Sequence, residues 1–124
     1  MGDSRAIASV GGRVVNLSTD HKPFVETEIK RVIAAGGRIQ SNRVNGRLTL
    51  SRALGDFPFK KNKLLKANEQ IIIAYPDVII QKLSEDHEFL LMACDGVWDV
   101  YTSEKALEFV RTRIAQLIPP ENVS

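Results

Sequence analysis

Apolar runs separated by glycine and polar residues divide the amino-terminal and central parts of this chain into predicted strands. Ala6–Val10 and Arg13–Leu17 predict a hairpin around Gly11-Gly12, because glycine readily adopts the positive φ angles of tight two-residue turns. Phe89–Cys94 is the densest apolar run. Strands covered on both faces have this composition, so we expect it to be a central strand.

A second hairpin is predicted around Asn45-Gly46, a dipeptide typical of type I′ turns, with Ile39–Val44 and Arg47–Leu50 as its strands. Two further strands, separated by Tyr75-Pro76-Asp77, are predicted at Ile71–Ala74 and Val78–Leu83.

One helix is predicted over Glu26–Ala35, where Ile29, Val32 and Ile33 fall on one face. Gly36 ends it, since a glycine after a helix adopts the left-handed conformation at little cost.

The last helix begins at Glu104, with Ser103 or Thr102 as its cap. Its apolar stripe is predicted from helical spacing, and Pro119-Pro120 ends it. The stripe consists of Leu107, Val110, Ile114 and Leu117.

Between the second hairpin and the later strands the pattern is weak. Ser51–Asp56 is short enough for one helical turn, and Phe57–Asn68 predicts a mobile loop that contains four lysines. A lysine cluster is usually a solvated surface, and a phosphate-facing role is the alternative.

Composition narrows the class of protein. The chain has 124 residues, a 44% hydrophobic share and a net charge of +2, which suit one domain or part of one and give little reason to expect nucleic-acid binding. It contains neither an apolar run long enough to span a membrane nor a recognisable secretory signal. With one cysteine, no internal disulfide is possible. We therefore expect a non-secreted protein, cytoplasmic or nuclear, that does not bind membranes.

Cys94 is the first candidate for chemistry, because it ends an apolar strand. Thiol phosphatases need an arginine six positions after the cysteine, and Val100 stands there. Asp95 and Asp99 beside the thiol would raise its pKa and repel phosphate. Cys94 is therefore predicted to be a packed core residue.

Carboxylates are the remaining candidates. Asp3, Asp95 and Asp99 lie at predicted strand or turn ends, and Mg²⁺ and Mn²⁺ prefer oxygen ligands. On pattern alone, an ordinary turn residue is the favoured interpretation of each Asp.

Six motifs, taken together and in order, resemble the metal-dependent serine/threonine protein phosphatases of the PP2C (PPM) family over roughly residues 2–112. They are Gly2-Asp3-Ser4-Arg5-Ala6, Asp20-His21-Lys22-Pro23, Ala35-Gly36-Gly37, Arg43-Val44-Asn45-Gly46, Ser51-Arg52-Ala53-Leu54-Gly55-Asp56-Phe57 and Ala93-Cys94-Asp95-Gly96-Val97-Trp98-Asp99-Val100.

The resemblance implies an α+β fold, a two-layer antiparallel β-sandwich flanked by helices. It also implies hydrolysis of phosphoserine and phosphothreonine in phosphoprotein substrates with Mg²⁺ or Mn²⁺. In that family a metal-activated water attacks phosphorus directly, and a metal can lower the pKa of its bound water sufficiently for this role.

The same resemblance implies roles for individual residues. Asp95 matches a ligand of the metal core, and Asp3 matches an acid that shares a more weakly bound third metal with it. Asp99 and Gly96 match positions that are auxiliary to the metal ligands. Arg52 and Arg43 fall in the family's mobile flap region and are candidates for the substrate side, although a structural ion pair explains Arg52 equally well.

The family pattern extends beyond both ends of this chain. Its phosphate-binding arginine and further metal-binding acids have no counterpart here, so we expect residues 1–124 to be a partial phosphatase domain, truncated at both ends and inactive alone. A non-catalytic regulatory or interaction module of the same fold is the alternative. Exposed sheet edges in such a piece also predict self-association.

Overall fold

The computed structural model describes residues 1–117, and these form two compact units. One unit comprises Met1–Ser4 and Thr19–Val78, and the other comprises Arg5–Ser18 and the chain from Ile79 onward. Antiparallel strands and helices occur together, as expected of an α+β fold. None of the helices within this range is sufficiently long and apolar to cross a membrane.

The second unit contains a three-stranded antiparallel sheet in the order β2-β1-β5. Strand β1 (Arg5–Val10) pairs with β2 (Arg13–Asn16) on one side and with β5 (His87–Ala93) on the other. The predicted first hairpin is confirmed. Gly11 and Gly12 have φ angles of 54° and 75°, the left-handed values that its turn requires.

The prediction of a central, doubly covered strand at Phe89–Cys94 is wrong. Within residues 1–117, β5 pairs with β1 alone and so lies at the edge of the sheet. Its side chains alternate between half-buried and exposed, with Leu90 56% and Met92 75% exposed. An apolar run does not distinguish one covered face from two, because that depends on which elements pack against the strand.

Two helices follow β5. The single-turn helix α2 (Asp95–Trp98) comes first and is followed by α3 (Ser103–Leu117). Thr102 is the cap of α3, since its hydroxyl accepts a hydrogen bond from Lys105 N at 3.2 Å.

The predicted stripe on α3 is only partly correct. Leu107 is buried, whereas Ile114 is 41% and Leu117 is 82% exposed, because the described part of the chain covers only the first turns of the helix. The predicted stop at Pro119-Pro120 lies outside the described residues.

The first unit is built around α1 (Glu26–Ala34) and a small core of Val32, Val44 and Ile72. The helix prediction is confirmed, but the predicted face is displaced. Ile33 is 59% exposed, whereas the carboxylate residue Glu28 is buried one turn before Val32. Ion pairs described below account for this burial.

The second hairpin is shorter than predicted and turns earlier. Strands β3 (Ile39–Gln40) and β4 (Arg43–Val44) pair around Ser41-Asn42, both of which have positive φ angles. Asn45-Gly46 does form a turn, but it leads only to a single bridge between Val44 and Leu48. Two consecutive turns thus replace the two long strands, because residue 42 also tolerates the left-handed conformation.

Local predictions are also wrong at three segments, Ser51–Asp56, Ile71–Ala74 and Val78–Leu83. Ser51–Asp56 forms no helical turn, and Arg52 instead makes an isolated bridge with Ile73. The runs at Ile71–Ala74 and Val78–Leu83 form no strands, since no partner strand pairs with them within residues 1–117. The lysine-containing loop includes two short 3₁₀ turns, at Phe57–Phe59 and Ala67–Glu69.

Candidate metal and substrate-side residues

Asp95 stands where β5 ends and α2 begins. The indole of Trp98 donates a 2.6 Å hydrogen bond to the Ala93 carbonyl, and Asp99 N donates to the Asp95 carbonyl at 2.8 Å. These bonds fix the backbone on both sides of the acid. The Asp95 side chain is exposed and has no hydrogen-bond or ion-pair partner among residues 1–117, so its carboxylate oxygens are available to a ligand.

The neighbours of Asp95 are also exposed. Asp99 follows α2 as its C-terminal cap, and Gly96 lies inside the helix. Cys94 is exposed too, so its prediction as a packed core residue is wrong. The thiol comes just after an edge strand, and no described element covers it there.

Asp3 lies in a more enclosed and already paired position. Its carboxylate is 12% exposed and accepts a hydrogen bond from Lys22 Nζ at 2.7 Å. The preceding Gly2 has a φ angle of 78°, and a Cβ atom there would lie 3.2 Å from the Arg52 carbonyl oxygen. A glycine is therefore needed to bring Asp3 into this place.

His21 holds the segment before Asp3. Its Nδ1 accepts a hydrogen bond from Gly2 N at 3.1 Å, while His21 N donates to the Gly2 carbonyl at 2.8 Å. Because Nδ1 accepts, the proton of the neutral ring lies on Nε2, which donates to Asp77 Oδ2 at 2.9 Å. The hydrogen bond from His21 has the largest effect on the pKa of the Asp77 carboxyl. Together with the bond from Arg52 it holds this pKa below its ordinary value.

Arg52 connects Asp77 to the buried helix residue Glu28. Its Nη1 donates to Asp77 Oδ1 at 2.9 Å, and its Nε and Nη2 donate to Glu28 Oε1 at 2.8 and 2.6 Å. Arg31 pairs with the other Glu28 oxygen and donates to the Ser51 carbonyl at 2.7 Å. The structural ion pair considered for Arg52 is thus present, and its role toward substrate stays a prediction.

Burial and ion pairing oppose one another in this cluster. Burial alone would raise the pKa of Glu28, but hydrogen bonds from Arg52 and Arg31 outweigh it and lower that pKa. Burial would likewise lower the pKa of Arg52, yet its bonds to Glu28 and Asp77 raise it overall. Glu28 and Arg52 therefore remain charged at neutral pH.

Arg43, the other predicted substrate-side residue, is exposed on β4. Its Nη1 donates to the Arg47 carbonyl at 2.9 Å, which stabilises the following turn. This contact leaves most of its donors facing solvent.

The described residues do not by themselves form a metal centre. Residues 1–117 hold no group of three His, Cys, Asp or Glu side chains able to bind one ion. Asp3 and Asp95 belong to different units, so their predicted sharing of a metal stays a prediction.

Comparison with known proteins assigns the chain to a family. The family model for protein phosphatase 2C matches residues 1–124. The chain belongs to the protein phosphatase 2C family. Its predicted resemblance to that family and its predicted fold class are both confirmed.

Relatives in the PP2C family match nearly all of this chain but only part of their own length. The chain is 55% identical over 122 residues to a probable protein phosphatase 2C of Caenorhabditis elegans, covering 98% of the chain and 34% of the relative. It is 46% identical to protein phosphatase 1G of Bos taurus, covering 93% and 21%. The chain thus spans about a third or less of the curated relatives it matches.

Solved structures agree with this PP2C assignment. A crystal structure of a phosphatase from Toxoplasma gondii superposes with a TM-score of 0.81 at 36% identity. It covers 94% of this chain, which matches 37% of that structure. A Caenorhabditis elegans sex determining protein superposes with a TM-score of 0.77 at 30% identity, covering 90% and 26%.

Sequence reasoning missed the network around Arg52. Spacing along the chain gave Glu28 no partner, and His21 stood out only as part of the motif Asp20-His21-Lys22-Pro23. One signal was available, because Glu28 lies four residues before Val32 and so shares its helical face. Its partner Arg52, 24 residues away, could not be identified from spacing.

Proposed function

We propose that the protein is part of a Mg²⁺- or Mn²⁺-dependent phosphatase that hydrolyses phosphoserine and phosphothreonine in protein substrates. Asp95 is its principal metal ligand in this chain, Asp3 is a second ligand, and Asp99 is an auxiliary acid. The observation that carries this proposal is the exposed Asp95 carboxylate, which has no partner within residues 1–117 and stands at a fixed strand–helix junction of a PP2C-family chain.

The proposed roles of Asp95 and Asp3 differ in how freely each acid can bind a cation. Asp95 has no competing partner within residues 1–117, whereas Asp3 is already neutralised by Lys22 at 2.7 Å. A metal ion that binds Asp3 has to displace the Lys22 ammonium group or share the Asp3 carboxylate with it. This supports Asp95 as the stronger ligand and Asp3 as a weaker one.

We further propose that the 124-residue chain alone does not turn over substrate. The support is the lack of any three-ligand group within residues 1–117, since a two-metal centre requires several carboxylates per site. We expect negligible release of phosphate from a phosphothreonine peptide with Mn²⁺. Rapid turnover that Asp95→Ala abolishes would overturn the proposed inactivity.

Metal binding tests the proposed ligand separately from catalysis. Calorimetric titration of the chain with Mn²⁺ is expected to show weak binding that Asp95→Asn removes. Asp86→Asn is the matched control, because Asp86 is an exposed aspartate in the same unit. If millimolar Mn²⁺ gives no binding, or if both variants weaken it equally, Asp95 is not the ligand, and a non-catalytic module becomes the better explanation.

The proposed setting is the cytoplasm or nucleus. Its support is indirect and comes from the single cysteine of residues 1–124, which excludes an internal disulfide among them. Imaging of the tagged protein tests it, and accumulation in the secretory pathway would contradict it.

A further inference from the structure

The first unit also carries a cluster of arginines that is separate from the proposed metal ligands. Between Gly36 and Gly55 the chain carries four arginines and no aspartate or glutamate. Arg52 is neutralised by Glu28 and Asp77. The side chains of Arg38 and Arg47 are exposed and have no hydrogen bond or ion pair within residues 1–117.

These two arginines line the same pocket, which has a volume of about 350 Å³. Its other lining residues are Gly36, Asn45 and Phe59. A pocket of this size lies at the lower end of the range for ligand sites, so it is large enough for a carboxylate side chain.

The pocket is built on well-fixed backbone. Arg38 N donates to Asn45 Oδ1 at 2.9 Å, and Asn45 N donates to the Arg38 carbonyl at 2.7 Å. Phe59 packs against the core of Val32, Val44 and Ile72. The backbone from which the two guanidinium groups extend is therefore held by hydrogen bonds.

We propose that Arg38 and Arg47 form an anion subsite that binds an acidic side chain of a peptide. Guanidinium groups bind carboxylates through paired, charge-assisted hydrogen bonds, and no acid of the described chain occupies these two. This inference rests on the proposed function, in which the peptide belongs to the phosphoprotein substrate, and it adds a preference for acidic residues near the phosphorylated one.

An acidic peptide fits these observations better than a nucleic acid. Single-stranded nucleic acids bind along extended basic grooves with exposed aromatic rings for stacking. Here the one aromatic residue, Phe59, packs on the core, and the cations surround a small pocket. The whole chain has a net charge of only +2.

Peptide binding to the 124-residue chain tests the proposal. The probe is a fluorescein-labelled peptide in which Asp and Gly alternate, and its counterpart carries Asn in place of Asp. Fluorescence anisotropy is measured at low ionic strength with EDTA, so that neither metal binding nor hydrolysis affects the result. We expect the Asp peptide to bind at least about fivefold more tightly than the Asn peptide.

The double variant R38Q/R47Q is expected to remove most of this preference. Its control is R13Q/K105Q, which loses the same two charges from exposed positions in the other unit and is expected to bind as the unchanged chain does. Circular dichroism checks folding, and the single variant R47Q serves if the double variant is unfolded, with an intermediate loss expected.

Three results would overturn the subsite. One is an equal loss in both double variants, which indicates non-specific charge attraction. Another is equal binding of the Asp and Asn peptides. The third is tighter binding of a single-stranded oligonucleotide that R38Q/R47Q abolishes, which indicates a nucleic-acid site. Failure of Mn²⁺ binding at Asp95 is measured separately and leaves all these results interpretable.

Discussion

Arg52 donates two hydrogen bonds to one oxygen of Glu28, from Nε at 2.8 Å and from Nη2 at 2.6 Å. The Glu28 side chain is only 1% exposed. A carboxylate buried to this extent is stable only with compensating partners. The pair connects α1 to Arg52, which is also a predicted substrate-side residue. A change at Glu28 therefore affects Arg52 as well.

Replacing Glu28 by Gln is expected to destabilise the protein by about 3 kcal/mol, because Arg52 and Arg31 then lose the carboxylate that compensates their own burial. The measurement is urea unfolding followed by circular dichroism. Glu26→Gln is the control, since Glu26 is 80% exposed in the same helix and its only ion pair within residues 1–117 is with Lys30. We expect it to change stability by less than about 0.5 kcal/mol. Equal effects would show that the buried pair contributes no more than the exposed one.

Lowering the pH should reduce the stability of the folded protein through Glu28. The pKa of Glu28 is lowered in the folded state from an ordinary value of 4.5, so its contribution is fully present above pH 4.5 and declines as the pH falls through the lower folded pKa. The stability difference between the unchanged protein and Glu28→Gln should therefore be largest near neutral pH and shrink in acid. Urea midpoints measured across this range test the sign, and a difference that grows in acid would refute it.

His21 is expected to hold Gly2 and Asp3 in place. His21→Leu removes the acceptor of the 3.1 Å bond from Gly2 N, so the Gly2 amide should exchange with solvent roughly tenfold faster, measured by NMR. His87→Leu is the control, because the His87 side chain hydrogen-bonds only to Ser84 within residues 1–117 and both lie in the other unit. Unchanged exchange in His21→Leu would mean that Asp3 is positioned by Gly2 and Lys22 alone.

Sequence predicted correctly the elements that depend on neighbouring residues. Gly11-Gly12 and its flanking strands form a hairpin because the turn, the spacing and the apolar residues all lie within a dozen positions. Glu26–Ala34 is helical for the same local reason. Contacts between distant segments were beyond such reasoning. Glu28 is buried through Arg52, 24 residues away, and β5 lies at the sheet edge because, within residues 1–117, only β1 pairs with it.

The same distinction between local and long-range contacts explains which features of the candidate site could be predicted. The position of Asp95 at a strand end followed from the apolar run before it, as predicted. The exposure of Cys94 did not, because it depends on whether another element covers the strand end. Nor did the pairing of Asp3 with Lys22, 19 residues away. The sequence pattern was thus sufficient to locate Asp95 at the strand end. The side chains that surround Asp95 and Asp3 could be identified only from the folded structure.

The free edge of β5 predicts that the isolated chain self-associates. Within residues 1–117 one side of this strand has unpaired backbone groups, and Leu90 and Met92 are exposed on its outer face. Such an edge pairs readily with a second copy, and a lysine on it disfavours that pairing. We therefore expect light scattering to show oligomers at high protein concentration and Met92→Lys to shift them toward monomer. Leu64→Lys, at a 93% exposed position in the other unit, should leave the oligomers unchanged. A chain that is monomeric at high concentration, or one that both variants affect equally, would contradict an interface at β5.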